Sequence, residues 1–175
     1  MPANRFAVLT GAPGAGKTAL LEAAAEAGWP TSPEVARALL REPGGMALRA
    51  DDPLGFAEAM TEAHVCEFER FAGHGGVVLF DRGLPDVAGF LDVSGLPVPA
   101  AIDRACREFR YGGPIFRAPA WAGIYRQDSE RIQDWDAAVA SDRAVTAAWR
   151  RYGYDPVDLP QLPVGERFAF VTAML

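Results

Sequence analysis

The stretch "LTGAPGAGKTALLEAAAEAGW", Leu9 to Trp29, sets a flexible, glycine-rich loop between an apolar run and an alanine-rich helical pattern. Phe6-Ala7-Val8-Leu9 reads as a short buried strand, and Gly11, Gly14 and Gly16 permit a turn that residues with a Cβ resist. The amides of such a loop, with the positive end of the helix that begins near Lys17, form a concave nest of donors for phosphate oxygens. Gly11-Ala12-Pro13-Gly14-Ala15-Gly16-Lys17-Thr18 fits the spacing G-x-x-x-x-G-K-[ST], in which the lysine reaches the β/γ-phosphates and the threonine hydroxyl ligates Mg²⁺. Strand, loop and helix stand in the order that this reading requires. Lys17 is expected to be solvated apart from its phosphate contact.

The rest of the composition narrows the class. A chain of 175 residues, half of them apolar, is expected to form one domain over 1–175 with a sizeable core. A formal charge of −6 argues against a nucleic-acid surface, because phosphate backbones demand concentrated Lys and Arg. Lys17 is the single lysine among seventeen basic residues, so its place inside the loop is hard to read as surface decoration. Cys66 and Cys106 have no metal or disulfide spacing and read as buried small apolar residues. With no secretion leader and no long apolar run, a cytoplasmic protein without a membrane partner is expected.

Candidate strands fall at Arg5–Thr10, Trp29–Ser32, Val77–Asp81, Pro114–Ala118 and Tyr154–Leu159. Helical patterns alternate with them: Lys17 to Ala27, Pro33 to Arg41 with Ser32 as N-cap, Pro53 to Ala72, Pro85 to Leu91, Pro99 to Phe109, Ser129 to Tyr152 and Val164 to Met174. This predicts an α/β three-layer sandwich: a parallel five-stranded sheet with helices on both faces and ligands at the carboxyl ends of the strands. Arg41-Glu42-Pro43-Gly44-Gly45 reads as a helix stop.

A second carboxylate follows from the third strand. Val77 to Phe80 is wholly apolar and ends in Asp81, which is placed to face the phosphate loop and hold a Mg²⁺-bound water or the threonine. Arg82 faces the same crevice, where a guanidinium can pair with a phosphate or carboxylate of a second substrate. Glu34, Arg37 and Arg41 share one helix face. His64 and His74 lack acidic partners and read as helix surface and loop, while Trp121 and Tyr125, four apart, read as a packed pair or a stacking face.

The phosphate loop, Pro33-Glu34-Val35-Ala36-Arg37, Phe80-Asp81-Arg82-Gly83, Pro119-Ala120-Trp121, Ile124-Tyr125-Arg126 with Glu130-Arg131, and Gly153-Tyr154 through Glu166-Arg167 together resemble the predicted-ATPase family of AAA-type domains. That family is similar to the ribosylnicotinamide kinase domain of a bacterial NAD-regulatory protein and, more distantly, to thymidylate and other nucleoside or nucleotide kinases. The resemblance implies a P-loop NTPase fold with a helical lid at about 119–135. It also implies that Glu34 lies near an acceptor hydroxyl, and that Arg126 and Arg131 close over the transferring phosphate.

The expectation drawn from these residues is a small-molecule phosphotransferase. MgATP lies on Gly11 to Thr18, the acceptor between Glu34, Arg37 and Arg82, with Glu34 favoured as base over Asp81 and Asp81 as magnesium partner. ATP is preferred to GTP because no N-K-x-D string is present, and 159–163 is where related kinases seat the adenine. The acceptor is open among nucleosides, nucleotides and ribosylated pyridines, and a homodimer is left open. The rival reading is a nucleotide-dependent switch with slow hydrolysis and a protein partner; a binding module without turnover is a third.

Overall fold

A computed structural model describes residues 4–124 and 135–175. The elements run β1 (Arg5–Gly11), α1 (Lys17–Glu26), β2 (Thr31–Ser32), α2 (Val35–Arg41), α3 (Gly45–Asp51), α4 (Pro53–Arg70) and β3 (Val77–Asp81). They continue α5 (Leu84–Val93), α6 (Ala100–Glu108), β4 (Ile115–Ala118), α7 (Trp135–Arg151), β5 (Val157–Asp158) and α8 (Val164–Ala173). The five strands form one parallel sheet in the order β2-β3-β1-β4-β5. In such a sheet the carboxyl ends share one edge, and the strand beside β1 on either side leaves a crevice there.

The sheet is buried on both faces, so its central strands read as continuous apolar runs. Alternation along β1 divides the core. Ala7 and Leu9 pack with Leu20 and Ala24 of α1 and Val171 of α8 on one face. Phe6 and Val8 pack with Phe80, Tyr111 and Trp149 on the other, where Phe6, Phe68 and Phe80 meet ring to ring. A third cluster joins α4, α5 and α6 through Phe56, Met60, Leu84, Leu91 and Ile102. There α5 and α7 approach closely: a Cβ at Gly89 would stand 2.7 Å from the Val145 backbone. The small residue sets how near α7 comes to the site.

Several boundaries depart from expectation. Ser32 is not the N-cap of a helix starting at Pro33; it pairs with Phe80 in the sheet, and Glu34 takes the cap position of α2. The ladder claims the residues that the proline suggested were helical. The stop at 42–45 is real, since α2 ends at Arg41 and Gly44 is left-handed at φ 83°, but another helix, α3, begins at once. Strands two and five are only two residues each, although Pro30 and Leu159 still join the ladder through backbone bonds. The start expected at Ser129 lies outside the described residues, as do Tyr125, Arg126 and Arg131.

Two environments were misread as well. His64 is 2% exposed, within the core-facing side of α4 rather than on its surface. Cys106 is buried as expected, but Cys66, two residues beyond His64, is exposed because that step turns it to the opposite side of the helix.

Candidate functional site

The loop between β1 and α1 is held in an open arch by left-handed glycines, Gly11 at φ 106°, Gly14 at 75° and Gly16 at 75°. A Cβ at Gly11 would fall 2.3 Å from the carbonyl oxygen of Ala118, so this position also fixes the seam between β1 and β4. Beneath the arch Arg167 of α8 donates from Nη1 to the Ala15 carbonyl at 3.1 Å. A Cβ at Gly16 would lie 2.7 Å from its Nη2. The guanidinium braces the loop from the side away from the crevice.

Lys17 differs from expectation in being buried, 6% exposed. Its ammonium donates to the carbonyls of Ala12 at 2.6 Å and Gly11 at 3.4 Å. Burial, and then the Arg82 charge, lower its pKa from 10.5 to about 8, against the pull of Asp81, Glu34 and Asp86. Thr18 follows at the mouth of the same crevice.

Asp81 ends β3 beside β1, with Leu9 as its register partner. It is 4% exposed and its Oδ1 has no hydrogen-bond partner. A desolvated carboxylate facing a crevice with a lysine and a threonine suits a hard cation, which needs oxygen ligands. Among the described residues no three His, Cys, Asp or Glu side chains form a protein-only metal cage.

Burial, and then the neighbouring Glu34 carboxylate, push Asp81 from 3.8 up to about 6. An acid raised in the folded state contributes stability that is complete below its unfolded pKa and is lost as pH rises through the folded one. Asp81→Asn is therefore expected to leave thermal stability nearly unchanged toward pH ~4. At about pH 7.5 it should raise the stability of the ligand-free protein by roughly 2 kcal/mol. Melting curves across that range check this; an equal shift at both ends would mean that the carboxylate is well solvated.

Arg82 is the one non-glycine residue with positive φ, at 69°, among the described residues. Its Nε donates to Glu34 Oε1 at 3.1 Å, and its Nη1 to Asp86 Oδ1 at 2.9 Å and to the Gly11 carbonyl at 3.3 Å. One guanidinium thus ties α2, α5 and the phosphate loop together. Burial works against its charge, but the Glu34 and Asp86 carboxylates outweigh that and hold it firmly protonated. Glu34 is an N-cap residue that does not cap: its carboxylate turns to Arg82 and, at 3.5 Å, to Arg37. Burial raises its pKa, while Arg82, Lys17 and Arg37 together bring it below the usual carboxylate value.

Asp86 was not singled out in the sequence. It accepts from Thr10 Oγ1 at 2.6 Å, Trp149 Nε1 at 3.0 Å and the Gly83 amide at 3.1 Å, besides Arg82. Its signal was present in Gly83-Leu84-Pro85-Asp86, where proline and an acid in a first helical turn mark a capping residue. What that signal lacks is the arginine at 82, which only the left-handed backbone turns back onto it.

These groups line one cavity of about 690 Å³. The loop, Lys17 and Asp81 occupy one part, and the Glu34–Arg82–Asp86 cluster the next. Leu40, Met46, Phe56, Met60 and Phe90 give the same cavity an apolar lining, and Arg37, Arg41 and Arg49 line it as well. The structure brings together Gly14, Gly16, Lys17, Thr18, Glu34, Arg37, Asp81 and Arg82 as the sequence suggested. Trp121 and Gln161 lie elsewhere, by Ala15 and Arg167, in a small depression next to the loop.

A five-stranded parallel sheet with this arch after β1 and an acid at the end of the adjacent β3 is the P-loop nucleotide-binding fold, in the form that nucleoside kinases take. The chain belongs to the AAA_28 family of AAA domains, whose model matches residues 6–167. It is similar in structure to deoxyadenosine kinase from M. mycoides with dCMP and dCDP bound: TM-score 0.71, 14% identity, covering 96% of this chain and 97% of that one. The same kinase with bound dATP gives a TM-score of 0.70 at 12% identity, covering 96% and 97% of the two chains. NadR in complex with NR gives 0.72 at 15% identity, covering 98% of this chain and 49% of that one. No curated protein matches the sequence. Among the described residues no helix is long and apolar enough to cross a membrane.

Proposed function

We propose that the chain is a phosphotransferase that moves the γ-phosphoryl group of MgATP to a hydroxyl of a small-molecule acceptor. The observation that carries this reading is the apolar lining of the cavity. Binding and slow hydrolysis of a nucleotide require only the loop and the metal-side acid, whereas here Leu40, Met46, Phe56, Met60 and Phe90 line the same cavity. An acceptor lying against this apolar lining can bring a hydroxyl to the phosphate beside Glu34 and Arg82.

In this reading the loop amides and Lys17 hold the β- and γ-phosphates, with the ammonium leaving the Gly11 and Ala12 carbonyls for phosphate oxygens. Thr18 and Asp81 hold Mg²⁺, which offsets charge on those phosphates. Glu34 accepts the proton as the acceptor oxygen bonds to phosphorus and the bond to the leaving ADP oxygen breaks. Arg82 keeps Glu34 ionised and adds positive charge near the transferred group. Arg126 and Arg131 complete the proposal as closing cations, and they lie outside the described residues. The 159–163 segment adjoins the loop near Ala15, Trp121 and Arg167, in keeping with adenine binding there.

A screen of nucleosides, nucleotides and cofactor precursors, read as ADP release with and without each, tests the reading. Acceptor-stimulated release is expected; a full screen without stimulation would favour the switch. Glu34→Gln is expected to lower kcat on the order of 10²-fold with ATP affinity preserved, because a base acts in the transition state. Loss of ATP binding with kcat intact at saturation would overturn the role given to Glu34.

A further inference from the structure

The charged residues of α2 and α3 divide by sign between the cavity and the outer surface. From 37 to 52 they are Arg37, Arg41, Glu42, Arg49, Asp51 and Asp52. The three arginines line the cavity, and none of the three acids does; all three acids are exposed. The order within each helix produces this sorting. Arg37, Leu40 and Arg41 stand three and four apart on one face of α2, Met46 and Arg49 three apart on one face of α3, and all five line the cavity. The corner between the helices is tight: Gly44 is left-handed, and a Cβ at Gly45 would collide with the Leu39 carbonyl. Leu39, Leu40 and Leu48 then pack both helices against the cluster that contains Phe56 and Met60.

The three cations are not equivalent. Arg37 lies 3.5 Å from Glu34 and belongs to the charged cluster described above. Arg41 closes α2, seven residues past the Glu34 cap, which sets it about 10 Å further along the helix axis. Arg49 makes no hydrogen bond or ion pair among the described residues. The carboxylates that do line the cavity are Glu22, Glu34, Asp81 and Asp86, and of these Glu34 and Asp86 are held by Arg82. The wall made by α2 and α3 is therefore an apolar surface carrying cations, and an uncharged molecule against it leaves Arg49 without a partner. Met46, one turn before Arg49, is 49% exposed, so a charged group there keeps part of its water while it meets the guanidinium.

We infer that the acceptor is an organic anion, an apolar body with a hydroxyl at one end and, about 10 Å away, an oxyanion held by Arg49 with Arg41 adding positive charge. Carboxylate and phosphate share the chemistry that a guanidinium fork recognises, two oxygens that accept parallel N–H bonds. The apolar body lies against Leu40, Met46 and Phe90, where no charge is needed. That the hydroxyl is phosphorylated rests on the phosphotransferase reading; the seat of the oxyanion does not.

The test uses three molecules that differ at one end alone: 8-hydroxyoctanoate, 8-hydroxyoctyl phosphate and 1,8-octanediol. Each is titrated calorimetrically in the presence of Mg²⁺ and a non-hydrolysable ATP analogue, and ADP release from ATP is measured separately. At least one anion is expected to bind about tenfold or more tightly than the diol, and the tighter of the two tells a carboxylate ligand from a phosphate. Arg49→Gln should reduce that ratio to within about threefold, Arg49→Lys should restore part of it, and neither should change affinity for the ATP analogue. Melting curves confirm that both variants fold. Anion preference in binding without any ADP release would uphold the oxyanion seat and count against the phosphotransferase reading. ADP release stimulated by the diol as strongly as by either anion would overturn the inference and leave the kinase intact. Equal binding of all three, binding of none, or a preference that survives in Arg49→Gln would overturn it as well.

Discussion

Lys17→Ala is expected to lower MgATP turnover by at least about 10³-fold, because a cation on the transferring phosphates works in a water-excluded site where little screens it. The residue is not the solvated side chain that its sequence suggests. It is 6% exposed and bonded to the carbonyls of Ala12 and Gly11, so it belongs to the arch even without nucleotide. Its removal nevertheless should cost little stability. Burial and the Arg82 charge already hold its pKa near 8, which shows that the folded state carries this ammonium at a disadvantage. A folded pKa below the unfolded one means that stability rises as pH passes from about 8 toward 10.5 in the parent. In Lys17→Ala that rise should vanish. Nucleotide binding by calorimetry and melting at two alkaline pH values check both halves, and turnover near the parent rate would remove the phosphate role of the loop lysine.

Arg82→Ala is expected to destabilise the protein by about 3 kcal/mol and to abolish phosphoryl transfer, since breaking a buried ion pair leaves an uncompensated charge behind. The figure stands at the low end of such losses because Asp86 keeps three other donors, Thr10, Trp149 and the Gly83 amide. Glu34 is the partner left exposed to the loss, retaining among the described residues the longer Arg37 contact at 3.5 Å. Backbone strain supplies an internal control. At φ 69° a Cβ costs roughly 1 kcal/mol, so Arg82→Gly should melt above Arg82→Ala although both lack the guanidinium. Arg82→Lys should restore charge but not the fork that reaches two carboxylates and a carbonyl, and it should recover little activity. Urea unfolding of the four proteins, with ADP release measured beside it, decides the matter. Parent-like stability of Arg82→Ala would mean that the tie between α2, α5 and the loop is not what holds the site.

Much of this was written in local order along the chain. The glycine spacing before Lys17, the apolar runs and the acid that closes Val77–Asp81 fix a parallel sheet with a phosphate loop, because period, turn residues and strand ends are properties of short windows. Arg82 was legible because it follows the acid that ends the third strand, and Glu34 and Arg37 because their spacing sets them on one helix face, their link to an acceptor coming from the kinase resemblance. Short strands, a helix of seven residues at 45–51 and the cap of α2 were less so, since sheet pairing overrode the local signals of Ser32 and Pro33.

The sequence by itself therefore determined the fold class and the place of the nucleotide loop, which need only neighbours within a dozen residues. Tertiary structure alone decided how the charges are shared. Asp86 meets Thr10 across 76 positions and Trp149 across 63, and Arg167 meets Ala15 across 152. It also decided that Lys17 and His64 lie buried, because desolvation depends on what the rest of the chain stacks over a residue, and no window along one helix contains that information.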